Sequence, residues 1–245
     1  MMTRSHLRPT LCLFLGLIVA LSGTALLCAE APGASAGPFD HAAWDAILYR
    51  YVDAGRVDYE KIQREARQDF EGYLKSLEDT PVDRFGSPKE QLVFWINAYN
   101  ACVFKGVLDH SPLKSVKDVN GFFDRLRYRV GGRPMTLNDI EANTRSFKDW
   151  RVHFALVCAS SSCPFLRSEA YTGDRLDEQL DAQASQFLTD PSRGLRLDDA
   201  QRILWVSKIF KWYAKDFVPD QTVTSGTLLL VLEPYLEPEI GRAHV

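Results

Sequence analysis

Residues 87–110 constrain the fold more than any other stretch of the chain. Ser87-Pro88-Lys89-Glu90 places a capping serine before proline at the first helical position and glutamate at the third, the signature of a helix start. The run QLVFWINAYNACVFKGVLDH that follows is apolar nearly all round, and His110-Ser111-Pro112 stops it. A helix apolar on every side belongs at the centre of a core, so the rest of the chain must wrap it. Asn97 and Asn100 sit on this helix, three apart, at neighbouring positions of one face. A buried amide is costly unless hydrogen-bonded. That face therefore meets polar partners, either as side chains lining a site or as a clamp on the backbone of a neighbouring loop.

The flanking segments supply the wrapping. Asp40 can cap a helix with Trp44, Ile47, Leu48, Tyr51 and Val52 on its apolar face, ended by Gly55. A turn at residues 57–59 leads into more helix, to about Leu77. From Arg127 the period changes: RYRV, Gly131-Gly132 and RPM read as a two-residue hairpin. Thr136 caps a short helix through Glu141, and Val152 to Cys158 is expected to be a buried strand. Thr172 or Gly173 opens an amphipathic helix carrying Leu176, Leu180, Phe187 and Leu188. A second hairpin pairs Leu195–Leu197 with Arg202–Val206, and helices near Ile209–Asp216 and Thr224–Tyr235 close the chain. The expected class is α+β: one mainly helical domain over residues 39–238, with a small antiparallel sheet built from hairpins and one buried strand. With 46% hydrophobic residues, such a domain fills its core without metals or several disulfides.

Residues 1–29 have the three-part layout of a secretory signal: Arg4, His6 and Arg8, then the apolar run LCLFLGLIVA, then Ser22, Gly23 and Thr24. Cleavage after Ala29 or Ala31 fits, and residues 30–38 (EAPGASAGP) form a flexible tether. Left uncleaved, Leu11 to Ala29 would reach about 28 Å as a helix, enough to anchor the chain. That segment is the one expected membrane contact. A formal charge of −3 and no basic tract argue against nucleic acid as a partner.

The segment RVHFALVCASSSCPFLRSEAYTG carries the remaining chemistry. Cys158 at a strand end, beside Ser160, Ser161 and Ser162, is where a nucleophile sits in many hydrolases. Strand alternation puts Cys158 with Phe154 and Leu156 and turns His153 to the opposite face, so His153 reads as a hydrogen-bonded structural histidine. In an oxidising compartment Cys158 and Cys163 could instead bridge across their short loop, worth on the order of 2 kcal/mol. Both readings of Cys158 stay open. The two cysteines lack the second ligand pair of a zinc site, and no cofactor is implied. In SKIFKWYAKDF the apolar residues Ile209, Phe210, Trp212, Tyr213 and Phe217 read as core or packing positions.

FWINAYNA, LNDIE, HFALVCASSSCP, EAYTG and SKIFKWYAKDF, in this order, resemble the family called domain of unknown function 547, over roughly residues 40–235. The resemblance carries no biochemical activity with it. Bacterial members are similar in having export signals, and plant members join the domain to a leucine-zipper segment, which implies partner binding. It singles out Trp95, Asn97, Asn100, Glu141, His153, Cys158, Cys163 and residues 207–217. One departure is local: the family places an arginine five residues after its glutamate, whereas Arg145 follows Glu141 by four.

The function expected is an exported, periplasmic or envelope binding module for a protein or small-molecule partner. The alternative is a thiol-dependent hydrolase or acyl transferase with Cys158 as nucleophile and Asn97 or Asn100 orienting the reaction.

Overall fold

The computed structural model describes residues 37–159, 163–198, 200–201, 203–219 and 222–235. The expected signal segment, the start of the tether and Ser160 to Ser162 lie outside the described residues. Helix α1 (Ala42–Tyr51) turns through Ala54 and Gly55, both at positive φ, into a small hairpin of β1 (Val52–Asp53) and β2 (Arg56–Val57). Gly55 thus serves a hairpin turn, where sequence suggested a helix end. The Asp58 side chain caps α2 (Tyr59–Glu65), and α3 (Arg67–Asp79) follows.

Helix α4 (Pro88–His110) starts where the capping signal predicts, with the Ser87 hydroxyl accepting the Lys89 N–H at 3.2 Å. Leu92 through Phe104 are all buried, and α4 is the axis of the larger of two hydrophobic clusters. Trp44, Phe70 and Tyr73 from α1 and α3 pack with Phe104 around it. Trp95, singled out by the resemblance, is buried in this core, edge-on to Phe94.

The Gly131-Gly132 hairpin forms as expected, pairing β3 (Tyr128–Val130) with β4 (Arg133–Met135), with both glycines at positive φ as its two-residue turn requires. Thr136 and Asp139 then make a reciprocal capping box for α5 (Leu137–Arg145). Helix α7 (Leu176–Thr189) buries Leu176, Leu180, Phe187 and Leu188. The second hairpin pairs β5 (Leu195–Asp198) with β6 (Ile203–Val206). The expected helix near residue 209 is split into α8 (Ile209–Trp212) and α9 (Ala214–Phe217), and Thr224 caps α10 (Ser225–Leu232). The class is mainly helical α+β, as the periodicities imply. Its strands form three separate two-stranded hairpins among the described residues.

The expected strand at 152–158 is the main correction. Val152–Ala155 is a short helix, α6, followed by extended backbone. Alternation cannot distinguish a strand from a segment that bridges two cores. Here Val152 and Ala155, three apart, face the larger cluster, while Phe154 enters the smaller one beside Phe187, Phe210 and Phe217. The extended residues find their hydrogen-bond partner in Asn100 on α4. The parity argument that separated His153 from Cys158 therefore falls with the strand.

Candidate functional site

Both asparagines of α4 grip backbone. Asn97 Nδ2 donates to the Tyr171 carbonyl at 2.9 Å, and its Oδ1 accepts the Tyr171 N–H at 3.1 Å. Asn100 Nδ2 donates to the Ala155 carbonyl at 3.0 Å, and its Oδ1 accepts the Val157 N–H at 3.1 Å. The two residues are 1% and 2% exposed. With one donor and one acceptor of each amide engaged, they hold the 155–157 and 169–173 segments against α4.

The segment held by Asn100 forms one wall of a cavity of about 370 Å³. Tyr99, Glu141, His153, Cys158, Trp212 and Tyr213 line it. Cys158 and Cys163 are at disulfide-bonding distance, with Cα atoms 6.0 Å apart, and both face this cavity. Trp95, Asn97 and Asn100 lie outside its lining.

His153 is buried, and its ring packs tilted against Tyr213 with centroids 4.0 Å apart. Its Nε2 lies 2.8 Å from Oδ2 of Asp216. Burial lowers the His153 pKa, against the opposing pull of Asp216, so the ring is neutral near pH 7. Partial burial resists ionisation of Asp216, but the hydrogen bonds from Arg145 and His153 outweigh it and lower its pKa. An ionised carboxylate only accepts, so Nε2 carries the proton and Nδ1 the lone pair. Arg145 binds both oxygens of Asp216, at 2.6 and 3.0 Å, and lies 4.9 Å over the Tyr213 ring. The four-residue spacing of Glu141 and Arg145 puts both on one face of α5, toward Tyr213. Burial, then the hydrogen bond to Glu141, raises the Tyr213 pKa, keeping the phenol protonated.

Of the residues singled out from sequence, Glu141, His153, Cys158 and Cys163 come together here. Tyr99 was not expected at a site, and Arg145 was noted only for its spacing from Glu141; Trp212 and Tyr213 were read as packing positions, and Asp216 was singled out only within residues 207–217. Trp212, expected to pack inside, is 68% exposed at the cavity. All five except Arg145 lie within the quoted motifs, and Asp216, the one acidic residue of SKIFKWYAKDF, was the available signal.

No curated protein and no solved structure matches the chain. Residues 84–188, which hold FWINAYNA, LNDIE, HFALVCASSSCP and EAYTG, match the family described as Protein of unknown function, DUF547, in support of the resemblance that the motifs carry.

Proposed function

We propose that this chain is an exported binding module whose ligand enters the cavity between Tyr99, Glu141, His153, Trp212 and Tyr213. One observation carries the reading: four of the five motifs, distant in sequence, supply residues to this one cavity. An exposed tryptophan, a neutral histidine and a carboxylate beside a phenol suit a ligand with an apolar body and a few polar groups. Export is supported by the layout of residues 1–29 and by the Cys158–Cys163 pairing, which an oxidising compartment sustains. A panel of small aromatic and amide fragments, followed by NMR on the oxidised protein, is expected to converge on resonances of Tyr99, His153, Trp212 and Tyr213. Fragments that scatter over the surface would overturn the reading. Intact mass of the protein in the envelope fraction tests export, with loss of the first 29 to 31 residues expected.

A second reading is favoured by the shared cavity of Cys158 and His153. Once reduced, Cys158 would face a neutral imidazole whose Nε2–H is anchored on Asp216, the arrangement of a thiol nucleophile, base and orienter. Rapid, selective alkylation of Cys158 in untreated protein would favour this enzyme reading over the binding module.

A further inference from the structure

The Cys158–Cys163 bridge borders two cavities. Both cysteines line the one that holds His153, and Cys163 with Pro164 also lines a second, of about 360 Å³. Local backbone shapes this second cavity. Gly55, at positive φ, lets the turn between β1 and β2 lie against Phe165, where a Cβ on residue 55 would stand 2.6 Å from the ring. The same turn brings Arg56 to the cavity, which Arg193 also lines. Among the described residues the lining holds these two arginines and no acidic side chain. Arg193 Nε lies 3.3 Å from Asp190, whereas Arg56 is exposed and forms no ion pair among the described residues. The charge offered on this side of Cys163 is therefore positive.

The bridge itself has little to hold together. It joins residues five apart in sequence, and the constraint a disulfide places on the unfolded chain shrinks with loop length. Both of its ends are held by other bonds. Asn100 on α4 fixes the backbone of Ala155 and Val157, next to Cys158. On the other side, Arg193 Nη1 donates to the Cys163 carbonyl at 2.6 Å, and its guanidinium lies 3.7 Å over the Phe165 ring. The Gln183 side chain donates to the Phe165 carbonyl. A bridge whose ends stay in place without it can open and close while the core stays folded. Cys158 and Cys163 are partly exposed, unlike the buried Cys102, and an exposed bridge is the kind that exchanges with thiols.

We propose that Cys158–Cys163 is a site of thiol–disulfide exchange with a small anionic thiol, which enters the arginine-lined cavity and attacks Cys163. The incoming thiol gives its proton to solvent, and its thiolate bonds to Cys163 Sγ. The Cys158–Cys163 bond breaks, and its electron pair leaves on Cys158 Sγ, which takes up a proton from solvent. A second thiolate displaces Cys163 from the mixed disulfide, so two thiols are oxidised to one disulfide while the bridge is reduced to two thiols. The exchange needs no ligand in the His153 cavity. The test is reaction of the oxidised full chain with 2-mercaptoethanesulfonate, 2-mercaptoethanol and cysteamine. Each rate is divided by that for a synthetic peptide of residues 156–165 closed by the same disulfide, which removes differences in thiol basicity. Quenching with iodoacetamide and mapping peptides locates the first mixed disulfide. The adduct is expected on Cys163, with a normalised rate for the sulfonate about 3–10-fold above that for cysteamine. Added salt should shrink this ratio. Arg56 is exposed, so Arg56→Gln should keep the fold and lower the ratio about 2–4-fold. An adduct on Cys158, no preference for the anionic thiol, or an unchanged ratio in folded Arg56→Gln would overturn the proposal. So would free thiols at both positions in unreduced protein.

Discussion

Asn97 holds the peptide of Tyr171 from both sides, donating to its carbonyl at 2.9 Å and accepting its N–H at 3.1 Å. The pair joins α4 to the EAYTG segment across 74 residues of sequence. Asn97→Leu strands one buried donor and one buried acceptor, each at about 1–3 kcal/mol. We expect the variant to lose about 2–4 kcal/mol in urea unfolding. A midpoint equal to the parent's would show that the clamp contributes nothing.

Iodoacetamide labelling with peptide mapping separates Cys102, Cys158 and Cys163. In native, unreduced protein Cys158 and Cys163 should resist, and both should label after mild reduction. Cys102 is buried in α4, and burial raises its thiol pKa, so it should label only after unfolding. Labelling of Cys102 in the native state would contradict its place in the core.

Acid should destabilise the fold. His41 and His153 stay neutral inside it, because burial lowers both pKa values. In the unfolded chain they protonate near pH 6.5. The unfolded state then binds the extra protons, so stability is full above that pH and falls below it. For His41 the loss continues down to about pH 3, and between pH 6.5 and 5 it amounts to about 2 kcal/mol. Urea unfolding at pH 7 and pH 5 measures this, and His41→Gln should flatten the dependence. A parent protein equally stable at both values would mean the imidazoles are not held neutral.

Gly106 lets α4 pass close to the β3 region. A Cβ there would stand 2.5 Å from the Tyr128 hydroxyl and 2.8 Å from the Phe122 ring. Gly106→Ala should therefore cost about 1–3 kcal/mol through overpacking, despite alanine's better helix propensity. Thermal denaturation decides the sign, and a raised melting temperature would mean the two rings give way freely.

Local chemistry was enough to read much of this fold from sequence. The serine cap and proline of α4, the paired glycines between β3 and β4, and the threonine caps of α5 and α10 each act within a few residues. The demand that Asn97 and Asn100 find polar partners also followed from sequence, because a helix apolar all round leaves its amides no water.

The identity of those partners depended on the three-dimensional packing. The segment after Val152 has an apolar pattern that suits either a strand or a short helix, and the outcome turned on Phe154 entering one cluster while Val152 and Ala155 entered the other. The same packing brought Asp216 to His153 from 63 residues away and set Trp212 at the cavity rim. Sequence thus determined the caps, the turns, the central helix and the need to satisfy its amides, since these follow from short-range sterics and desolvation. Only the tertiary structure decided the cavity, because a lining gathered from four distant segments has no local period to reveal it.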